Sequence, residues 1–362
     1  MSKIALITFH RAYNYGARLQ AYALFNKLAN MGEDAVIIRY ETSIQMSRYR
    51  ILQPDFSVVG ILRNFRNFMS LYILHKRQAC FDYFSDSNCK YSEIVNDKEQ
   101  LRKLLNTYDV ALVGSDQIWN IKEKAFDNAY LLPFPLKSKK ISYASSTGDD
   151  IKKWTAEEID EVSNKLKDFN YVSIRESSGK EVFTSKGVSI CQVVDPTLLL
   201  TKLDWDKVKS HILDSNEEYI LYYTVKATKF SVEFVKYLSN VTRLKVIAIH
   251  PQNSLEFKSG FIRKIDIGPD GFIEYISKAK YVVTTSFHAT VFSIIYNKKF
   301  FCPTMNDRIV DLLNKLGLSK RIVRNSADIF ENDTDINWGS VMYNLSILQS
   351  RSINYLENAI KE

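Results

Sequence analysis

At 362 residues the chain is about twice the usual single-domain size, and its 46% apolar and 25% charged residues describe a folded, two-domain globular protein. The net charge of +8 suits an anionic partner such as anionic lipid or a phosphorylated substrate; no helix-turn-helix, zinc-finger or RNA-binding signature accompanies it, so nucleic acid is not expected. No apolar run approaches the roughly eighteen residues of a spanning helix, and Ile4-Ala5-Leu6-Ile7 is too short for a signal-peptide core, so the expected compartment is the cytoplasm.

In chain order, Ile4–Ile7 reads as a strand buried on both faces. A polar stretch from His10 to Gly16 follows, then Leu19, Ala23, Leu24, Leu28 and Met31 at helical spacing, Gly32 as a stop, and a second strand over Ala35–Ile38. This is a βαβ unit. Residues 46–105 break the rhythm with a helical, aromatic-rich insertion. Between residues 46 and 80 it carries Arg48, Arg50, Arg63, Arg66, Lys76 and Arg77 against one acid, Asp55. Such a lobe could rest on an anionic membrane, clasp an acceptor, or be an irregular packing element.

Strands resume at Val110–Val113, ending in Gly114-Ser115-Asp116, and at Ile141–Ala144, ending in Ser145-Ser146-Thr147-Gly148. A helix over 155–168 has Thr155 as its cap. The strand Tyr171–Ile174 ends in Arg175-Glu176, and Val193-Val194 is closed by Asp195-Pro196-Thr197. The domain change falls near 196–215. Beyond it come strands at Tyr219–Tyr223, at Leu244–Ile249 ending in His250-Pro251, at Tyr281–Thr284 turning through Ser286-Phe287-His288 into a helix, and near Phe300–Cys302. The segment Val341–Leu356 reads as an amphipathic helix that packs on another element.

Two runs of β/α alternation imply two parallel sheets flanked by helices. The polar clusters fall repeatedly at the ends of strands, where such folds bind ligands. Scattered Cys80, Cys89, Cys191 and Cys302 and isolated histidines have no metal-ligand spacing, so no metal is expected.

The clusters also carry a resemblance. Asn14-Tyr15-Gly16-Ala17-Arg18-Leu19-Gln20-Ala21-Tyr22-Ala23-Leu24, Gly114-Ser115-Asp116-Gln117-Ile118-Trp119-Asn120, Tyr143–Gly148, Ser173–Glu176, Val194–Thr197 and Thr285–Ser293 stand in an order that resembles the polysaccharide pyruvyl transferase family across roughly residues 4–310. The resemblance implies two Rossmann-like domains in a GT-B-like arrangement: residues 1–200 with the basic helical insertion at about 46–105, residues 201–338, and a C-terminal helix over 339–362 that crosses back to the first domain. It also implies transfer of a pyruvyl group from phosphoenolpyruvate to two hydroxyls of a sugar, in a bacterial surface polysaccharide or its lipid-linked precursor. The products are a cyclic ketal and phosphate, no cofactor is involved, and the setting is the cytoplasm, with peripheral contact at the inner face of the cytoplasmic membrane left open. Many family members carry arginine two positions before the late histidine, where this chain has Ser286.

On that reading His288 binds phosphate or moves a proton, and Asp116 is an acid/base candidate on the acceptor side. Arg175 offers a planar fork for carboxylate or phosphate, with an ion pair to a neighbouring acid as the structural alternative. Asn14, Tyr15, Gly16 and Arg18 form a helix-entry turn suited to an anion or glycan. Ser115, Gln117, Trp119 and Asn120 suit sugar recognition, and His250 and Ser286 supplement the late histidine. The runner-up function is a GT-B-type glycosyltransferase using a nucleotide-activated sugar. A glycan-binding protein without catalysis is the third class.

Overall fold

The computed structural model describes residues 1–123, 126–213, 217–225, 227–249, 259–325 and 334–361. The chain forms two compact units, one of Met1–Phe68, Ser85–Leu200 and Ser346–Glu362, the other of Met69–Phe84 and Thr201–Leu345.

In the first unit, β1 (Lys3–Ile7), β2 (Asp34–Tyr40), β3 (Tyr91–Val95), β4 (Val110–Val113) and β5 (Lys139–Ser142) form a parallel sheet in the order β3-β2-β1-β4-β5. Ile4, Ala5, Leu6 and Ile7 are wholly buried, as a central strand covered on both faces requires. Two short strands, β6 (Val172–Ile174) and β7 (Ile190–Gln192), pair in parallel beside it, and single bridges join Ile141 to Tyr171 and Ser145 to Ile174.

The second unit repeats the plan. Strands β8 (Tyr219–Tyr223), β9 (Lys245–Ile249), β10 (Ile262–Lys264), β11 (Tyr281–Thr284) and β12 (Lys299–Phe301) run parallel in the order β10-β9-β8-β11-β12. Two Rossmann-like units in one chain are the make-up of GT-B-type enzymes. In each sheet the winding reverses between two central strands, β1 and β4 in one and β8 and β11 in the other. Crevices beyond the carboxyl ends at such reversals are where open α/β sheets bind ligands.

Local chemistry fixes the helices between strands. Asn14 caps the helix Tyr15–Asn30 by accepting from the Ala17 amide at 3.3 Å. Thr155 and Glu158 make a reciprocal capping box on Ala156–Leu166, and Pro269 opens the helix Pro269–Lys278. The C-terminal helix Trp338–Lys361 ends within the first unit. There Ser352 Oγ accepts from the Val194 amide at 2.9 Å, and Tyr355 donates to the Ser142 carbonyl at 2.9 Å.

Three local readings change. The stretch 46–105 holds helices Val58–Met69 and Leu71–Asn88, but then returns to the framework with edge strand β3 and the helix Lys98–Leu105. Strand β10, also at an edge, is likewise not foreseen. Both are short and half-exposed, so neither shows the continuous apolar run of a central strand. Gly16, read as part of a turn, lies inside the first helix; the chain reverses over residues 10–14 instead.

Candidate active site

At the end of β4 the backbone is committed to an unusual path. Gly114 has φ +143°, and a Cβ there would meet the Tyr143 carbonyl oxygen at 1.9 Å, so no other residue fits. Asp116 and Ala144 hold φ of 64° and 51°, left-handed values that cost non-glycine residues energy. The gain is a bridge between Asp116 and Ser145 that extends the sheet beyond its last regular pair. Asp116 is left half-buried at the mouth of the β1/β4 reversal.

Behind it lies a continuous polar network. Ser115 is fully buried; its amide donates to Gln20 Oε1 at 3.2 Å and its hydroxyl to Asp195 Oδ2 at 3.4 Å. Gln20 Nε2 donates in turn to Thr8 Oγ1 at 2.9 Å. Arg175 donates through Nη1 to Asp195 Oδ2 at 2.6 Å, and its Nε stands 3.8 Å from Glu176 Oε2. Burial alone would lower the guanidinium pKa, but Asp195 and Glu176 raise it above its ordinary value. Asp195 Oδ1 also accepts from the Thr197 amide and hydroxyl, and Glu176 Oε1 from the Thr147 amide and hydroxyl. Arg175 thus carries out the structural alternative foreseen for it, an ion pair with a neighbouring acid. Every strand-end cluster of the first unit except Asn14–Gly16 is tied into this network.

At the neighbouring ends of β1 and β2 the structure places a pair that the sequence alone did not mark. His10 is 3% exposed and Glu41 7% exposed, with His10 Nε2 3.7 Å from Glu41 Oε1. His10 Nδ1 lies 3.2 Å from the Thr8 carbonyl, which can only accept, so Nδ1 carries the hydrogen. Arg39 Nε donates to Glu41 Oε1 at 2.9 Å and Arg11 Nε stands 3.6 Å away. Burial would raise the Glu41 pKa, yet His10, Arg39 and Arg11 bring it down to about 2. Burial lowers the His10 pKa below 6.5, outweighing the opposing pull of Glu41. Thr8, Tyr40, Gln45, Met46, Tyr49 and Tyr130 complete a narrow pocket around the pair. The only advance signal was position, since both residues follow apolar strands.

In the second unit, Ser286 is the N-cap of the helix Phe287–Ile295 but gives it no side-chain hydrogen bond. Its amide accepts support from Thr284, donating to Thr284 Oγ1 at 3.0 Å, while Thr284 Oγ1 donates to the Tyr223 carbonyl at 2.5 Å. His288 sits in the first turn, 7% exposed and edge-on to Phe287. Thr224, at the end of β8, is fully buried, and its hydroxyl has no hydrogen-bond partner among the described residues. His250 lies outside the described residues.

The remaining candidates divide by role. Arg18 is 2% exposed and binds inward: Nε to the Ala12 carbonyl at 3.0 Å, Nη2 to the Arg11 carbonyl at 3.1 Å and Nη1 to Ser85 Oγ at 2.6 Å. It braces the helix-entry loop that carries His10 and Arg11. Tyr15 is buried in the core, and Asn14 is exposed beside it. Trp119 is fully buried, donating to the Tyr130 carbonyl at 3.1 Å and lying edge-on to Phe169. Gln117 and Asn120 bond each other at 3.3 Å beneath Gly148, where an added Cβ would meet Gln117 Oε1 at 2.4 Å.

Against known proteins, residues 14–303 match the family described as "Polysaccharide pyruvyl transferase". The chain belongs to the polysaccharide pyruvyl transferase family. No curated protein sequence matches it. Among solved structures it is similar to the UDP-N-acetylglucosamine 2-epimerase of Rickettsia bellii, with a TM-score of 0.59 at 9% identity over 99% of this chain and 97% of that one. It is also similar to S. aureus MnaA in a co-structure with UDP, with a TM-score of 0.54 at 12% identity over 99% and 96%. An α-glucosyltransferase in complex with UDP gives 0.51 at 9% identity over 99% and 95%. At these identities the likeness establishes the two-domain α/β fold and nothing of the reaction.

As a pyruvyl transferase the protein is an enzyme that moves a pyruvyl group from phosphoenolpyruvate to a pair of sugar hydroxyls. Among the described residues no group of three or more histidine, cysteine or carboxylate side chains could hold a metal ion.

Proposed function

We propose that the donor is held in the second unit at the start of the helix Phe287–Ile295. The observation that carries this is the uncapped N-terminus bearing His288 at the β8/β11 reversal. A helix start offers free amides and a positive end to an anion. The first helix of the chain satisfies one of those amides with Asn14, whereas Ser286 leaves the later helix to its ligand. Phosphoenolpyruvate brings both a phosphate and a carboxylate to such a site, and His288 can hydrogen-bond the phosphate and hand it a proton as it leaves.

The reaction balances without a cofactor. A first hydroxyl adds to the central carbon of phosphoenolpyruvate while the methylene carbon takes a proton; the C–O bond to phosphate breaks; a second hydroxyl closes the ketal. Two hydroxyl protons are lost, one appearing on the new methyl group and the other on phosphate. The half-buried position of Asp116 at the β1/β4 reversal supports the reading that it orients or deprotonates an acceptor hydroxyl. Arg175 holds Asp195 and Glu176, and through them the strand ends on which Ser115 and Thr147 sit; it is a positioning residue. Incubating the protein with phosphoenolpyruvate and lipid-linked glycan, then reading phosphate release and product mass, tests the reaction. A gain of the pyruvate ketal mass is expected. Turnover of a nucleotide sugar in its place would favour the glycosyltransferase reading.

The helix Val58–Met69 supports a proposed working place at an anionic membrane surface. No described helix is long and apolar enough to cross a membrane, but this one is inverted. Two of its asparagines face the protein, Asn64 donating to the Gln53 carbonyl and Asn67 to the Ile51 carbonyl, each at 2.7 Å. Leu62, Phe65 and Phe68 point outward, 64%, 67% and 62% exposed, beside Val58, Val59 and Ile61. An outward apolar stripe on a basic lobe is the form of a helix that lies in a lipid interface. The apolar face, more than the cations, carries the contact. Arg63 pairs with Asp55, Lys76 pairs with Asp266, and Arg77 is buried over the Phe81 ring.

A further inference from the structure

We propose that a groove on the first unit binds an acidic glycan by the carboxylate of a pyruvate ketal already built onto it. The proposal rests on the pyruvyl-transfer reading for the identity of its occupant, and it concerns a place other than the candidate active site.

Three observations carry it. The first is room and position. Between the last helix and the amino ends of β6 and β7 lies a cavity of about 620 Å³, within the roughly 300–1,000 Å³ range of small-molecule sites. Every residue lining it belongs to the first unit. Tyr171 and Ser189, on its wall, stand immediately before β6 and β7, whereas Arg175 and Asp195 follow the other ends of the same strands. The groove and the Arg175–Asp195 network therefore lie at opposite ends of one strand pair.

The second is charge. Arg351 and Lys167 line the groove, and no carboxylate does. Nearby cations are matched: Lys165 pairs with Glu161 and Lys186 with Asp160. Arg351 and Lys167 make no ion pair among the described residues, and the acid closest to Arg351 along the last helix, Glu357, pairs with Lys361 at 3.9 Å. Arg351, Tyr355 and Asn358 follow one another at helical spacing, so a single face of the helix presents a guanidinium, a ring and an amide to the groove.

The third is the ring surface. Tyr355 is fixed by donating to the Ser142 carbonyl at 2.9 Å, and Tyr171 stands edge-on to it with ring centroids 6.4 Å apart. With the Tyr355 hydroxyl spent on the fold, its ring offers carbon surface to the apolar face of a sugar. An inorganic anion needs neither the volume nor the rings, and a neutral sugar has no use for two cations without acids. A sugar bearing a carboxylate uses all three, its planar group matching the guanidinium fork of Arg351. Pyruvyl transfer leaves such a group behind, because the ketal carbon keeps the pyruvate carboxylate. The groove thus tells finished sugars from unfinished ones and holds the glycan by a repeat already modified.

The test titrates the pyruvate ketals of methyl galactoside and methyl glucoside, the parent glycosides, and inorganic phosphate by saturation-transfer NMR. Wild type is expected to bind at least one ketal about tenfold or more tightly than its parent glycoside, with no displacement by an equal concentration of phosphate. Arg351→Gln is expected to lose about tenfold or more of ketal affinity, the worth of one charge-assisted hydrogen bond. Arg351→Lys, which keeps the charge without the fork, should recover only part of it. Ser189→Trp, which fills the groove and leaves its charge alone, should lose as much as Arg351→Gln. Phosphate release from phosphoenolpyruvate with unmodified lipid-linked glycan should stay within about twofold of wild type in all three folded variants. Equal binding of ketal and parent, or displacement by phosphate, would overturn the proposal. So would ketal binding that survives both Arg351→Gln and Ser189→Trp, which would put the ketal at the active site instead. If the ketals bind through Arg351 and phosphoenolpyruvate is never turned over, the groove stands as an acidic-glycan site and the pyruvyl-transfer reading falls. If turnover is found and neither ketal binds, the groove falls alone.

Discussion

Arg175 Nη1 donates to Asp195 Oδ2 at 2.6 Å, and both side chains are almost wholly withdrawn from water, at 3% and 0% exposure. A charge pair this deep cannot be broken singly without leaving a bare ion behind. Asp195→Ala or Arg175→Ala should therefore cost about 3–5 kcal/mol in urea unfolding. The double substitution Arg175→Met with Asp195→Leu should recover much of it. A strictly additive double-mutant cycle would show that the two residues do not act as a unit.

His288 separates chemistry from binding. His288→Asn retains a polar side chain but cannot transfer a proton, and ketal formation should drop by about 10²–10⁴-fold at saturating donor. Calorimetry with phosphoenolpyruvate on the folded variant should show a much smaller loss. If donor affinity falls more steeply than kcat, the histidine is a phosphate ligand rather than a proton donor.

Membrane contact through the Val58–Met69 helix is checked with vesicles containing an anionic phospholipid. Leu62→Asn, Phe65→Ser and Phe68→Ser together should abolish co-sedimentation, each removed side chain withdrawing about 1.5–3 kcal/mol of apolar burial. Raising salt to screen charge should weaken wild-type binding only modestly. If the triple variant sediments like wild type and sedimentation equilibrium instead shows a dimer lost on substitution, the face pairs with a second copy.

Acid should weaken the fold in two stages. His10 is held neutral in the folded chain, its pKa below 6.5, while the unfolded chain takes up a proton near 6.5. Stability is thus present above that pH and lost as pH falls below it. Glu41, with a folded pKa of about 2 against an ordinary 4.5, adds stability that is lost as pH drops from 4.5 toward 2. Thermal melts of wild type and His10→Gln across pH 5 to 8 check the first stage. The variant's curve should be flatter than wild type between pH 7 and 5, and parallel curves would contradict the assignment.

Gly114→Ala has a purely steric expectation. The added Cβ would fall 1.9 Å from the Tyr143 carbonyl oxygen at a φ of +143°. The shift needed should cost more than about 3 kcal/mol, judged by soluble yield and urea midpoint.

Much of the framework was legible because central strands in a parallel sheet must be apolar on both sides. Ile4–Ile7, Val110–Val113 and Tyr219–Tyr223 therefore announce themselves. Edge strands such as Tyr91–Val95 carry no such obligation, and a mixed five-residue stretch between helices gives nothing to read. The sites followed the same logic. Strand-end clusters with runs of glycine, serine and aspartate stood out, as Gly114–Asp116 did. The His10–Glu41 pair did not, because its members lie 31 positions apart and meet only through the register of β1 against β2. Arg175 could be placed at a strand end, but its partner, 20 residues later, is chosen by the pairing of β6 with β7.

The last helix imposes an order on the birth of the protein. Val194 N–H finds its acceptor in Ser352, the Leu198 carbonyl its donor in Gln349, and the Ser142 carbonyl its donor in Tyr355. A ribosome delivers these three side chains only after the whole second unit has been made. Until then the first unit leaves the Val194 amide and the Leu198 and Ser142 carbonyls without these partners. The second unit can close before the first is complete, so the first unit waits for a helix that is made after the second.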